Sequence, residues 1–204
     1  TGSDYNKLDI PGESQYYGRG VHYCATCDGA FYRDKRLAVV GGGNSAVQEA
    51  IFLTRFASHI DLLVRSDLRA SEVLQHEIKK LVDESKITIH LNTTTDEILA
   101  ENDRVNKVLI TQEGQKLSLD IDGVFVFIGL KPNTEFLKDS AIELDERGLV
   151  KTNNKLETNI SGVFASGDVR SGATMQIASA VGEGASAALS IREYLDAQKT
   201  TLLK

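Results

Sequence analysis

Apolar and polar positions divide the chain into a strand–helix region, a β-rich stretch and a long terminal helix. Leu37-Ala38-Val39-Val40 has no polar position, the pattern of a strand buried on both faces of a parallel sheet. Residues 46–56 then show helical spacing, and residues 60–64 read as the next strand, so residues 36–62 read as a β-α-β unit. Val73, Leu74, Ile78, Leu81 and Val82 predict one buried stripe on a helix over 72–84 that packs on the sheet. Residues 87–91 predict a short strand. Residues 94–100, 104–111 and 116–119 predict an antiparallel meander broken at Glu113-Gly114.

Val124-Phe125-Val126-Phe127-Ile128 is apolar throughout and predicts a central strand ending at Gly129, with Lys131-Pro132-Asn133 as a turn. Residues 162–168 predict a further apolar strand ending in Gly167-Asp168. Residues 175–195 predict a helix rich in small side chains, including Ala178, Ala180, Gly182 and Ala187, suited either to plain core packing or to close approach of another backbone. The expected class is α/β, a parallel sheet with helices plus an antiparallel β-meander.

Composition narrows the function. The 204 residues are 41% apolar and 25% charged, enough for a packed core, and the net charge of −6 comes without any long basic run. No nucleic acid and no membrane is therefore expected as the main partner. Both cysteines fall in Cys24-Ala25-Thr26-Cys27, followed by Asp28. Two intervening residues let one turn of helix bring the sulfurs together, so the pair can cycle between dithiol and disulfide while a neighbouring carboxyl moves the proton. A bridge closing so short a loop is a poor structural staple. Half of a zinc site is the rival reading, but His22, His59, His76 and His90 offer no second ligand pair at zinc spacing. A cytosolic redox pair is the expectation, with a cytoplasmic location.

Gly41-Gly42-Gly43-Asn44-Ser45-Ala46 lies between the first strand and the helix of the β-α-β unit. There Gly41 permits a tight turn, Gly43 lets backbone approach a pyrophosphate, and Ala46 allows close helix–strand packing, with the helix N-terminus facing phosphate. The second strand ends in Leu63-Val64-Arg65-Ser66-Asp67-Leu68-Arg69, with no carboxylate at its tip and Arg65 and Arg69 bracketing it. That favours NADPH over NADH, while Asp67 stands close by and solvated surface charge is the plain alternative for both arginines. Asp168, at a predicted strand end just before a helix, stands where α/β folds bind ligands.

Together these motifs resemble the low-molecular-weight thioredoxin reductases. Ile10-Pro11-Gly12-Glu13, Gly18-Arg19-Gly20-Val21, Tyr23-Cys24-Ala25-Thr26-Cys27-Asp28-Gly29, the glycine turn, Ile128-Gly129, Pro132-Asn133-Thr134 and the Gly162 to Val169 run stand in that family's order and spacing. The flavoprotein subunit of alkyl hydroperoxide reductase is similar but carries a different pair within its C-x-x-C. The resemblance implies a Rossmann-like FAD/NAD(P)-disulfide oxidoreductase fold. It also implies a homodimeric enzyme in which NADPH reduces FAD, FAD reduces the disulfide and the dithiol reduces thioredoxin.

Carried over residue by residue, Cys27 would face the flavin, Cys24 would attack the thioredoxin disulfide, and Asp28 would protonate a leaving thiolate. Gly41, Gly42, Gly43, Asn44, Ser45, Arg65 and Arg69 would hold NADPH. Ile128 and Gly129 join the cofactor-binding set, Gly167 and Asp168 would meet the flavin's ribitol, and Gln176 with Ile177 would lie near the isoalloxazine. Ser66 departs from the family, which has an arginine there. The implied division is a residual FAD-domain strand end at 1–6, an NADPH-binding domain with the redox pair at 7–131, and the C-terminal part of an FAD-binding domain at 132–204. The family's N-terminal FAD segment has no counterpart in the sequence, so a fragment, a proteolysed chain or one half of a split flavoprotein is expected. Rotation of 7–131 against the FAD domain would present dithiol and nicotinamide to the flavin in turn. The alternatives are a module that only binds nucleotide, or a flavin disulfide reductase fed by a donor other than NADPH.

Overall fold

The computed structural model describes residues 1–202, with side chains through residue 199. Two compact units divide the chain, one of residues 5–129 and one of residues 1–4 with 130–204.

The larger unit has three layers. Its centre is a five-stranded parallel sheet of β2 (Val21–His22), β3 (Arg36–Val40), β4 (His59–Leu63), β5 (Ile87–His90) and β9 (Gly123–Val126), in the order β2-β9-β3-β4-β5. Register pairs Leu37 with Ile60 and with Gly123, and Ile60 with Ile87. Because strand residues alternate between faces, Leu37, Val39, Ile60, Leu62 and Phe125 bury one face, packed by the helices α2 (Asn44–Leu53) and α3 (Glu72–Asp83). Ala38, Val40, Leu63, Val124 and Val126 bury the other. That second face is covered by the antiparallel meander β6 (Thr93–Glu101), β7 (Arg104–Gln112) and β8 (Gln115–Asp120), through Ile98, Val108 and Ile110. Burial on both faces explains why β3 and β9 carry no alternation.

On α3, Ile78 is buried and Leu74, Leu81 and Val82 pack on the core, but Val73 is 76% exposed and lies off the stripe. At 100° per residue it points about 140° away from Ile78. The segment before β2 is fastened to the meander by the Ile98 amide, which donates to the Pro11 carbonyl at 3.0 Å, and is braced internally by Glu13. Glu13 is 1% exposed, and its carboxylate accepts hydrogen bonds from the Leu8 and Asp9 amides and the Tyr23 hydroxyl, all at 2.8 Å.

The smaller unit contains β1 (Ser3–Tyr5) paired with β10 (Leu130–Pro132), a 3-10 turn at Gly167–Val169, and the helix α4 (Ile177–Leu202). Two sequence expectations change here. Lys131-Pro132-Asn133 is not a free turn: Lys131 and Pro132 end β10, which pairs with β1 in a two-stranded ribbon, and a proline is tolerated in so short a ribbon because it withholds just one donor. Residues 162–168 do not form a strand. Gly162 turns the chain at φ +80°, Phe164 makes one isolated bridge to Glu157, and the run then winds into the 3-10 turn. On α4, Ala187 is buried, whereas Ile177, Val181 and Leu189 are exposed.

Candidate active site

In the larger unit the redox pair sits on a single helical turn, α1 (Ala25–Asp28), where Cys24 is the N-cap. Cys24 and Cys27 form a disulfide, and the Cys27 amide donates to Cys24 Sγ at 3.1 Å. An N–H aimed at this sulfur also favours charge on it once the bond is reduced. Cys27 is exposed and Cys24 half-buried.

Asp28 closes the same turn, with its side chain 32% exposed. Its Oδ2 lies 3.1 Å from Nδ1 of His22, whose Nε2 is 2.7 Å from the Tyr32 hydroxyl. His22 lies in β2, stacked on Phe125 with ring centroids 5.1 Å apart. Burial pushes its imidazole below the ordinary value, against the opposing pull of Asp28. Tyr32 is pushed up to about 12 by burial, then by the charges of Asp28 and Asp122, so it stays a neutral phenol. Gly123 makes room for this ring, since a Cβ there would come within 2.6 Å of it. Neither His22 nor Tyr32 stands out in the sequence, where a lone histidine beside a tyrosine ten residues on has no special spacing.

At the C-terminal ends of β3 and β4 a cleft of about 750 Å³ is lined by Gly41, Gly42, Gly43, Asn44, Ser45, Arg65, Arg69, Ile128 and Gly129. Gly41 stands at φ +141°, and a Cβ on it would strike the Phe127 carbonyl oxygen at 2.4 Å and the Ala46 methyl at 2.7 Å. Only glycine fits. Gly43 faces open space, where a Cβ would meet nothing within 4 Å, so its backbone and the start of α2 lie bare to the cleft. Gly42 has a role invisible in the sequence. Its carbonyl accepts from the Arg69 amide at 2.7 Å, and Asn44 Oδ1 accepts from the Ser71 amide at 2.8 Å, so the loop carrying both arginines is pinned to the glycine turn. Asp67 also lines the cleft beside the two arginines, and Lys7 and Thr93 to Thr95 join it from segments that no local motif connects with it.

In the smaller unit Gly167 and Asp168 form the 3-10 turn, which packs on α4 just after Gln176 and Ile177. Glu183 of α4 accepts from the Gly167 amide at 2.8 Å and from Arg170 Nε at 3.0 Å, and its Oε1 also pairs with Arg170 Nη2. Hydrogen bonding to Arg170 holds the Glu183 carboxyl below its ordinary range despite burial. Ser3 Oγ donates to the Asp168 carbonyl at 2.7 Å. Asp168 Oδ1, by contrast, is buried without a hydrogen-bond partner. A buried carboxylate oxygen left unpaired is costly and fits a site that receives a donor from a ligand. Among the described residues no group of three or more His, Cys, Asp or Glu is placed to hold a metal ion, and no helix is long and apolar enough to cross a membrane.

A redox disulfide and a glycine-turn cleft on one Rossmann-like sheet define a nucleotide-linked disulfide oxidoreductase class. The family model described as pyridine nucleotide-disulphide oxidoreductase matches residues 1–184, and the chain belongs to that family. It is 42% identical over 204 residues to a thioredoxin reductase of Bacillus subtilis (strain 168), covering 98% of this chain and 63% of that protein. It is 43% identical to one of Coxiella burnetii, covering 96% and 63%. Among solved structures, thioredoxin reductase from Streptococcus pyogenes MGAS5005 superposes with TM-score 0.89 at 42% identity, over 97% of this chain and 64% of that one. The chain thus spans about 63% of the length of the curated relatives it matches.

Proposed function

We propose that this chain carries the dithiol–disulfide centre and nucleotide cleft of a reductase that passes electrons from NADPH through FAD to Cys24–Cys27 and on to thioredoxin. The carrying observation is the Cys24–Cys27 disulfide closed over a single helical turn, in the same unit as the glycine-turn cleft. Likeness to thioredoxin reductases supports the choice of substrate. A homodimer and a cytoplasmic setting belong to the same reading and rest on the motifs shared with that family.

The residues fit both cofactors. Bare backbone at Gly43 and the start of α2 suits a pyrophosphate, Arg65 and Arg69 suit a 2′-phosphate, and the unpaired Asp168 Oδ1 suits a ribitol hydroxyl. FAD, when bound, converts a two-electron hydride donor into a reductant for a disulfide. With both sulfurs reduced, Cys24 attacks the substrate disulfide, forming a mixed disulfide and releasing one substrate thiolate. Cys27 then attacks Cys24 Sγ, re-forming the Cys24–Cys27 bond and releasing the second. Asp28 hands a proton to a departing sulfur.

The test is anaerobic addition of NADPH to FAD-loaded protein with oxidised thioredoxin. Flavin absorbance should bleach and recover, with one disulfide reduced per NADPH consumed. Bleaching with no thioredoxin reduced overturns the substrate assignment, and no bleaching overturns the donor. Arg65→Gln should weaken NADPH binding roughly tenfold and leave NADH unchanged, as read by calorimetry. Equal losses for both nucleotides would return Arg65 to ordinary surface charge.

A further inference from the structure

We infer that His22, locked by Tyr32, is a positioning residue for Asp28: its imidazole occupies one carboxyl oxygen and leaves the other to deliver a proton to a thiolate leaving the Cys24–Cys27 couple. The inference rests on the proposed reductase reading and goes beyond it, because it assigns work to a buried side chain outside the C-x-x-C segment.

Geometry carries it. His22 joins two polar contacts in one line, with Nδ1 at 3.1 Å from Asp28 Oδ2 and Nε2 at 2.7 Å from the Tyr32 hydroxyl. A third side chain fixes the ring plane, since Phe125 stacks on it from β9 while Tyr32 meets its edge. The titratable groups facing the imidazole are Asp28 from α1 and Tyr32 from the adjoining 3-10 helix (Gly29–Tyr32), and Asp122 acts on Tyr32 from beyond.

Hydrogen counting then fixes the tautomer. His22 is buried and neutral, and Asp28 Oδ2, carrying no proton, can only accept, so the imidazole proton sits on Nδ1 and the neutral Tyr32 phenol O–H donates to Nε2. Nδ1–H donates to Oδ2 whether Asp28 is protonated on Oδ1 or ionised. The bond is stronger to the anion. When the Oδ1 proton moves to a departing thiolate, forming S–H and leaving a carboxylate, the imidazole stabilises the charge left behind without itself changing protonation. Removing it should leave the Asp28 carboxyl less well aimed and slow the proton delivery.

Three variants test this in FAD-loaded protein: His22→Ala, His22→Asn, whose amide can still donate to Asp28, and Tyr32→Phe. Thioredoxin reduction is followed against pH, flavin bleaching by NADPH is timed separately, and ring-nitrogen NMR reads the His22 tautomer in the disulfide form. Expected is an Nδ1–H imidazole in the wild type and a roughly tenfold slower disulfide step at neutral pH in His22→Ala. The inflection in the pH profile of that step should move upward. His22→Asn should recover part of both, and bleaching should keep its rate. Tyr32→Phe, which deletes one hydroxyl and keeps the ring packing, should raise the Nε2–H fraction and shift the inflection the same way, so the inference stays exposed to refutation even if His22→Ala fails to fold. A wild-type Nε2–H tautomer, or pH profiles that run parallel with an unmoved inflection, overturns it. Loss of thioredoxin reduction in the wild type itself would sink the reductase reading instead.

Discussion

On the proposed reductase reading, replacing either cysteine by serine should stop thioredoxin reduction, by at least ~10³-fold, while NADPH still bleaches the flavin. The two replacements differ in what they leave behind. With Cys27→Ser, Cys24 can still attack a substrate disulfide, but nothing resolves the mixed disulfide, so a covalent complex should accumulate and disappear on adding dithiothreitol. With Cys24→Ser no such complex should form, because the sulfur assigned to attack is gone. Trapping by Cys24→Ser and not by Cys27→Ser would exchange the two roles. Neither variant should lose much stability. The bridge closes a loop with only two residues between its ends, for which the chain-entropy model gives no more than about 2 kcal/mol, and the core of the larger unit lies in the sheet, α2 and the meander rather than in α1. Denaturant midpoints of the variants beside the reduced wild type check that the lost activity is chemical.

The β-α-β unit was legible because its signals agree at every level. An unbroken apolar strand, a turn in which Gly41 is sterically required, and a helix with buried Ala46, Val47, Ala50 and Leu53 all describe one crossover. The meander was legible from its three β-rich stretches and from Glu113-Gly114, both at positive φ in the turn. Residues 162–168 misled because apolar β-formers signal a strand only where a neighbouring strand completes the ladder, and Phe164 finds one bridge. Val73 misled because it follows Glu72 at the start of α3, where an apolar residue one position off the stripe already faces water.

At the candidate site, the local motifs were readable and the long-range partners were not. Cys24, Cys27 and Asp28 lie on one turn, so spacing alone brings them together. His22 and Tyr32 reach Asp28 from β2 and the 3-10 helix after α1, and the pairing is set by how β2 docks beside β9, His22 against Phe125. Gly42 is similar. Its neighbour Arg69 is distant in sequence and becomes a partner only when the loop folds back. A charged residue inside an apolar strand, however, is visible as a local conflict even when its partners are not, and Asp61 between Ile60 and Leu62 is such a position.

Asp61→Asn should therefore be the most damaging polar substitution in the larger unit, and its cost should depend on pH. The side chain is wholly buried in β4. Parallel register aligns Asp61 with Ala38 and Thr88, so Arg36 and His90, each two residues along its strand, reach the same face diagonally. Arg36 Nε and Nη2 donate to the carboxylate at 2.8 and 3.1 Å, and His90 Nε2 donates at 2.8 Å. Burial alone would raise the carboxyl, but hydrogen bonds from His90 and Arg36, with the charges of Arg36 and His59, outweigh it and hold it below its ordinary value. A depressed folded-state value means stability that is complete above the unfolded value of about 3.9 and is lost as pH falls through the lower folded one. An asparagine keeps one acceptor oxygen and turns an NH2 donor toward the remaining donor, although Arg36, 47% exposed, can turn to water and soften the loss. At neutral pH the cost should be about 2–3 kcal/mol. Urea unfolding at a series of pH values should show that gap constant down to about pH 5 and shrinking below about pH 4, as the wild-type carboxylate is itself protonated. A gap that persists undiminished to about pH 2 would mean that shape, rather than charge, is what Asp61 contributes to the sheet.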